Sequence, residues 1–278
     1  MINFNGNLCD DDAVLSADNR AFLFGDGVFE TVKIVDGKIL FLEDHYFRLM
    51  ATMRIVRMEI PMAFTMEYFE SEILKIAESQ SAHESGRARI TVFRNAGGFY
   101  LPLQRDVSWI ITASVLEKKD YVVDHQTYEV ELFKDFYVTA QLLSTIKTTN
   151  RMINITGSIF ADENGFDNCL LLNDSKNVVE ALHGNLFLLS GNQLITPALT
   201  DGCLNGIMRK QVLKLAREMD GITVSEASIS PFDLQKADEL FITNVIKGIQ
   251  PITKYRKKEY ATSFASGLLE KLNGVVGN

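Results

Sequence analysis

Residues 28 to 42 read V-F-E-T-V-K-I-V-D-G-K-I-L-F-L, with apolar and polar side chains alternating on both sides of Asp36-Gly37. A period of two sends successive side chains to opposite faces of a strand, and an Asp-Gly step tolerates the positive φ angles of a tight hairpin turn. Such a hairpin has one apolar face that must be covered. The covering helices are predicted next. Tyr46, Leu49, Met50, Met53 and Ile55 recur at roughly helical spacing from Glu43 onward, with Pro61 closing the segment, and Tyr68, Phe69, Ile73, Leu74 and Ile76 form an apolar face over residues 65–79. R-A-R-I-T-V-F-R at 87–94 and V-S-W-I-I-T-A-S-V-L at 107–116 read as two further strands joined by a glycine-bearing segment. These complete a first α/β lobe over residues 1–118, and the charged stretch Glu117 to Asp124 is the expected connection to a second lobe over 119–278.

The second half mixes its signals differently. Tyr128 to Phe133 opens as a strand, and the polar segment L-S-T-I-K-T-T-N-R precedes a helix from Met152 to Glu163 that Gly165 caps. C-L-L-L-N at 169–173 reads as a buried strand, and V-V-E-A-L-H-G-N-L-F-L-L-S-G-N-Q-L-I as short strands broken at glycines. D-G-C-L-N-G-I-M-R-K-Q-V-L-K-L-A-R leads from a glycine loop into an amphipathic helix, and E-L-F-I-T-N-V-I-K-G-I-Q-P-I reads as one late strand interrupted at Thr243 and Asn244. Alternation without strict βαβ order predicts an α+β fold with mixed sheets, not a doubly wound parallel sheet. A length of 278 residues suits two domains.

Composition narrows the function classes. With 28 Lys plus Arg against 36 Asp plus Glu the net charge is −8, which argues against a broad electrostatic grip on nucleic acid or an anionic membrane. Cys9, Cys169 and Cys203 are far apart and form no C-x-x-C pair, and His45, His83, His125 and His183 are scattered, so neither a disulfide framework nor a metal site is expected. The acidic amino terminus lacks the pattern of a signal peptide, and no run nears the roughly 18 apolar residues of a membrane helix. The expectation is a soluble, cytoplasmic protein.

Several residues are candidates for chemistry, and each also has an ordinary reading. Gly206, just before a helix that continues with Ile207 and Met208, frees backbone N–H groups at a positive helix end, as phosphate sites require, yet a glycine turn is also a common connector. Lys147 in T-I-K-T-T-N-R reads singly as a solvated loop lysine, and Arg48 as an exposed helical arginine sharing its helix with His45. Glu180 in V-V-E-A-L either faces solvent or is a carboxylate held where it needs a partner. No G-x-S-x-G, H-E-x-x-H, Walker A or G-x-G-x-x-G pattern occurs.

The order of the blocks carries more than any one of them. R-A-F-L-F-G-D-G-V-F-E-T at 20–31, H-Y-F-R-L at 45–49, I-K-T-T-N-R at 146–151, V-V-E-A-L-H-G-N-L-F at 178–187, D-G-C-L-N-G-I-M-R at 201–209 and D-E-L-F-I-T-N at 238–244 together resemble the class IV aminotransferase family. These are the fold-type IV pyridoxal 5'-phosphate enzymes, and the resemblance covers nearly the whole chain. It implies a small N-terminal α/β lobe and a larger C-terminal lobe with a barrel-like mixed sheet, the latter carrying the cofactor lysine. By that resemblance Lys147 binds the cofactor aldehyde and moves the proton at Cα, Glu180 pairs with the pyridine nitrogen, and Arg48 holds the phosphate. The backbone amides of Gly206 and Ile207 cradle the same phosphate, Thr243 and Asn244 belong to the cofactor site, and Asn185 is structural.

Within the family, K-T-T-N-R, N-G-I-M-R, Thr243-Asn244-Val245 and Thr31 are more similar to 4-amino-4-deoxychorismate lyases than to the transaminases, and Thr31 falls where lyases carry a hydroxyl that assists proton transfer. Glu30 is closer to the aminotransferase pattern. Arg94 is not followed two residues on by the histidine of D-amino acid aminotransferases, since Ala96 stands there. The implied reaction is release of pyruvate and 4-aminobenzoate from a small-molecule amine, 4-amino-4-deoxychorismate. Transamination of a branched-chain or D-amino acid is the alternative, and a non-catalytic binding protein a remote one. Arg94 and Arg151 are the candidates for substrate carboxylates and Phe29, with Phe22, Phe24 and Tyr100, for the pocket lining. The family also implies a homodimer, with no nucleic-acid or membrane partner.

Overall fold

In the computed structural model, which describes residues 1–10, 15–124 and 126–277 and so leaves His125 outside, the chain runs first through β1 (Ile2–Phe4), β2 (Asn7–Cys9) and α1 (Arg20–Phe24). It continues through β3 (Gly27–Val35), β4 (Lys38–Ile39), α2 (Leu42–Ile55), α3 (Met66–Ser79), β5 (Ser85–Arg94) and β6 (Val107–Val115). The strands form one sheet in the order β2-β1-β6-β5-β3-β4. Asp36 and Gly37 turn β3 into β4 with φ of 48° and 69°, the positive pair that the Asp-Gly step predicts. Thr65 caps α3 by accepting the Tyr68 N–H.

Alternation along β3 and β5 decides what lies where. Val28, Val32 and Ile34 of β3 and Ala88, Ile90 and Val92 of β5 pack beneath Leu49, Met50 and Met53 of α2 and Phe69, Ile73 and Ile76 of α3. The odd-numbered positions, Phe29, Thr31 and Lys33 on β3 and Arg87, Arg89 and Thr91 on β5, therefore occupy the face away from these helices.

Contacts divide the chain into one unit of Met1–Lys119 with Lys147–Asn150 and another of Asp120–Ile146 with Arg151–Asn278. The sequence reading gave Lys147 to the second lobe, whereas Lys147–Asn150 packs with the first. The reason is an open edge. β4 pairs with β3 only at Ile34 and Val35, which leaves the backbone at Gly27–Phe29 to take another partner. Phe29 N–H donates to the Lys147 carbonyl at 2.8 Å, Thr149 N–H to the Gly27 carbonyl at 2.9 Å, and Val28 bridges Thr148.

The second unit contains β7 (Glu129–Val138), α4 (Met152–Glu163), β8 (Asn168–Asn173), β9 (Val178–Ala181), β10 (Asn185–Ser190), β11 (Gln193–Thr196) and α5 (Ile207–Arg217). After these come β12 (Thr223–Glu226), α6 (Pro231–Lys236), β13 (Glu239–Asn244), β14 (Gly248–Ile252), β15 (Lys254–Tyr255), β16 (Lys258–Glu259) and α7 (Ser263–Val276). Two mixed sheets result, β16-β15-β7-β8-β9 and β12-β11-β10-β13-β14, linked by a bridge between Ala181 and Gly184 into a curled half-barrel.

The late strand of the sequence reading is in fact the hairpin β13–β14. Asn244 Oδ1 accepts the N–H groups of Ile246 and Lys247, and Gly248 has φ of 74°, so side chain and glycine together turn the backbone there. No helix among the described residues is long and apolar enough to cross a membrane.

Candidate active site

Consecutive residues of β3 face opposite ways, and this separates the polar groups of the first unit into two sets. Glu30 points under α2. His45 and Arg48 are one helical turn apart on α2 and meet it there. Arg48 donates from Nε to Glu30 Oε1 and from Nη2 to Oε2, both at 2.7 Å, and His45 Nδ1 lies 2.8 Å from Oε2. Glu30 is 1 % exposed and His45 0 %. Burial alone would raise the Glu30 pKa, but the Arg48 charge and the hydrogen bonds from His45 and Arg48 outweigh it and hold the carboxyl at about 2. Arg48 is thus half of a bidentate, nearly buried ion pair.

On the other face the ring of Phe29 gathers two cations. Lys147 Nζ lies 4.4 Å from its centroid and the Arg89 guanidinium carbon 3.8 Å. Arg89 also donates from Nε to Thr91 Oγ1 at 3.2 Å. Thr31 stands directly across from Arg89 in the β3–β5 register. Gly27 permits the close pairing that places Lys147, since a Cβ there would press on the Thr149 side chain and the Val92 carbonyl at 3.1–3.3 Å.

Arg94 follows the even register of β5 and lies on the helix side of the sheet. Its Nη2 donates to the Val56 carbonyl at 2.7 Å and lies 3.4 Å from Asp26 Oδ1, while Arg20 holds the other Asp26 oxygen at 2.8 Å and reaches the carbonyls of Gly97, Gly98 and Phe99. The arginine brought to the lysine is Arg89, which sequence reasoning did not single out. Its signal was the register of R-A-R-I-T-V-F-R, visible only once β5 is known to pair with β3.

The second unit assembles a different set. Glu180, on β9 and 7 % exposed, accepts the Leu204 N–H at 2.8 Å, and Asn185 Nδ2 donates to the Leu204 carbonyl at 2.7 Å. The loop before α5 is therefore held from both sides. Gly206 follows as the N-cap of α5, and no side chain caps that helix start. A Cβ on Gly206 would collide with Asn185 Oδ1. Asn185 pairs across to Thr243 on β13, whose buried hydroxyl has no hydrogen-bond partner among the described residues.

Asn244 is committed to its turn, its Nδ2 donating to the His183 carbonyl at 3.1 Å. Arg151 Nη2 donates to the Ile146 carbonyl at 3.2 Å, tying together the two ends of the Lys147–Asn150 excursion. A helix start without a side-chain cap, a glycine that admits no side chain and an orphaned buried hydroxyl fit a phosphate, and a buried carboxylate fits a protonated ring nitrogen. The donor set therefore suits a phosphorylated pyridine.

Comparison with known proteins agrees with this chemistry. Residues 27–255 match the model of the family described as amino-transferase class IV. The D-alanine aminotransferase of Listeria monocytogenes is 27 % identical over 87 % of this chain and 83 % of its own. The aminodeoxychorismate lyase of Vibrio harveyi is 25 % identical over 91 % of this chain and 92 % of its own. The branched-chain amino acid aminotransferase structure from Escherichia coli superposes with a TM-score of 0.87 at 21 % identity, covering 99 % of this chain and 93 % of that one.

Proposed function

The chain belongs to the class IV amino-transferase family, enzymes whose cofactor is pyridoxal 5'-phosphate, and from that premise we propose that it is a 4-amino-4-deoxychorismate lyase that releases pyruvate and leaves 4-aminobenzoate. The observation that carries the choice is Thr31. Its hydroxyl is on the Lys147 face of β3, one same-face position from Phe29 and directly across from Arg89. The family resemblance associates a hydroxyl at that position with the lyases.

When bound, the cofactor supplies an electron-accepting ring that acidifies the substrate Cα–H. Lys147 removes that proton and returns one as an acid. Glu180 keeps the ring nitrogen protonated, with its second role, accepting from Leu204, fixing the carboxylate in place. In the second unit Thr243 and the amides of Gly206 and Ile207 suit the phosphate, and the family resemblance gives Arg48 a phosphate role. Asn244 shapes the turn beside Thr243. Arg89 is the cation for the substrate carboxylate, and its stacking on Phe29 fixes its plane. Arg151 steadies the lysine segment and Arg94 the strand end.

Transamination of a branched-chain or, less in keeping with Ala96, a D-amino acid is favoured by a different observation, the Glu30 carboxylate paired with Arg48. The same reading makes the enzyme a cytoplasmic homodimer. In its support, Phe22, Phe99, Tyr100 and Leu103 are 77, 84, 91 and 82 % exposed, apolar surface of the kind that marks an interface.

A paired assay on cofactor-loaded protein tests the proposal. Pyruvate and 4-aminobenzoate released from 4-amino-4-deoxychorismate are measured beside oxo-acid formed from leucine and D-alanine with 2-oxoglutarate. Lyase turnover with negligible transfer, falling about a hundredfold in Thr31→Ala, is the expected result. Fast transfer without lyase turnover refutes it.

A further inference from the structure

The charged stretch Glu117 to Asp124 carries one buried residue. Tyr121 is 4 % exposed, whereas Glu117, Lys118, Lys119 and Asp120 before it and Val122 after it face solvent. Its backbone is clamped to α7 in both directions. The Tyr121 N–H donates to Asn273 Oδ1 at 3.2 Å, and Asn273 Nδ2 donates to the Tyr121 carbonyl at 2.7 Å. From that fixed origin the phenol hydroxyl donates to the Val245 carbonyl at 2.7 Å, 124 residues along the chain.

Val245 lies in the turn that closes β13 onto β14, just beyond Thr243. Asn244 supports this turn from within, its Oδ1 accepting the Ile246 and Lys247 N–H groups and its Nδ2 reaching the His183 carbonyl. Tyr121 supports it from the α7 side, at both ends. Its hydroxyl takes the Val245 carbonyl, and its ring lies against Gly248, where φ is 74° and a Cβ would come within 2.8 Å of ring Cγ and Cδ1. On the β10 side a Cβ on Gly184 would collide with the Thr243 carbonyl. The orphaned Thr243 hydroxyl is thus bounded by β10 on one side and by a turn that Tyr121 holds on the other. Burial pushes the phenol pKa up, so Tyr121 remains a donor at neutral and mildly alkaline pH.

We propose that Tyr121 is a positioning residue for the cofactor phosphate: through the Val245 carbonyl and Gly248 it fixes the turn that aims the Thr243 hydroxyl. The inference rests on the reading of Thr243 as a phosphate donor and deepens it. Removing the phenol hydroxyl leaves the Val245 carbonyl without that donor and lets the turn relax, so the loss falls on the phosphate end of the ligand and spares the ring and the aldehyde.

Equilibrium dialysis of the full-length apoprotein with pyridoxal 5'-phosphate and with pyridoxal, which differ only by the phosphate, reads that end alone. In Tyr121→Phe, which keeps the ring against Gly248, affinity for the phosphorylated ligand falls about threefold and affinity for pyridoxal is unchanged. Thr243→Val lowers affinity for the phosphorylated ligand about fivefold, and adding Tyr121→Phe lowers it no further, because two groups that act through one hydroxyl are not additive. The phosphorus NMR resonance of the bound cofactor follows the same rule, moving in either single variant and no further in the double. Asn273→Ala, which keeps the phenol but frees the backbone beneath it, gives about a twofold loss confined to the phosphorylated ligand and serves where Tyr121→Phe folds poorly.

An equal loss for both ligands, an unchanged preference in Tyr121→Phe, or losses that multiply in the double variant overturns the inference while Thr243 keeps its role. A Thr243→Val protein that binds both ligands as wild type does refutes the phosphate reading itself, and the positioning role falls with it.

Discussion

On the helix-covered face of the six-stranded sheet, Glu30 meets both Arg48 and His45, and Asp26 sits between Arg20 and Arg94. On the opposite face Lys33, Arg87 and Arg89 share the β3–β5 register, with Lys147 and Arg89 gathered at the Phe29 ring. The same strands build both faces, and the alternation of side chains decides which charges lie beneath the helices. Beneath α2 and α3 an unpaired charge is expensive and must bring its own counter-ion.

Removing Lys147 is the strongest way to break the face that carries it. Lys147→Ala should lower turnover by about a thousandfold or more and abolish the near-visible absorbance of the lysine-bound cofactor, with the melting temperature of the apoprotein little changed. Glu30→Gln attacks the covered face instead. The Glu30 carboxyl at about 2 lies below its ordinary 4.5, which contributes about 3 kcal/mol that is fully present above pH 4.5 and is lost as pH falls toward 2. Wild type should therefore lose stability steeply over that acid window, whereas Glu30→Gln is already less stable at pH 7 and falls less steeply below pH 4.5, where Glu226 and Asp233 still contribute. Chemical denaturation at a series of pH values reads both.

The two arginines of β5 sharpen the contrast. Arg94→Gln leaves Asp26 with one partner and the Val56 carbonyl without its donor, a loss of about 1–3 kcal/mol in stability. Arg89→Gln should change stability by less than about 1 kcal/mol and raise KM for carboxylate substrates about tenfold. Denaturation and steady-state kinetics on the pair decide it, and a reversed pattern would show that the two faces have been assigned the wrong way round.

The smallest effect belongs to the other unit. Thr243→Val removes a buried hydroxyl that has no partner, so the apoprotein should be equal or more stable by up to about 0.5 kcal/mol, while cofactor affinity measured by equilibrium dialysis falls about fivefold.

Much of this was legible in the chain. The Asp36-Gly37 hairpin, the apolar spacing of α2 and α3, the helix after Arg151 and the glycine ahead of α5 are local signals, and each is decided within a few residues. Lys147, Glu180, Arg48 and Gly206 stood out by the order of their blocks. The β13–β14 hairpin was missed because its turn depends on the Asn244 side chain, not on a turn dipeptide. Arg89 and Arg87 were missed because R-A-R-I-T-V-F-R announces three arginines without saying which share a face with the lysine. The partner of Arg48 was hidden for the same reason, since Glu30 is 18 residues away.

The sequence by itself determined periodicity, turns, caps and the family to which the chain belongs, because these depend on neighbouring residues and their order. Tertiary structure alone decided that the Lys147 segment pairs with the first unit, that Arg89 and not Arg94 joins the lysine at Phe29, and that Arg48 is held by Glu30. Each of these is set by strand register and by an open sheet edge. A shift of one residue in that register would send every one of these side chains to the other face.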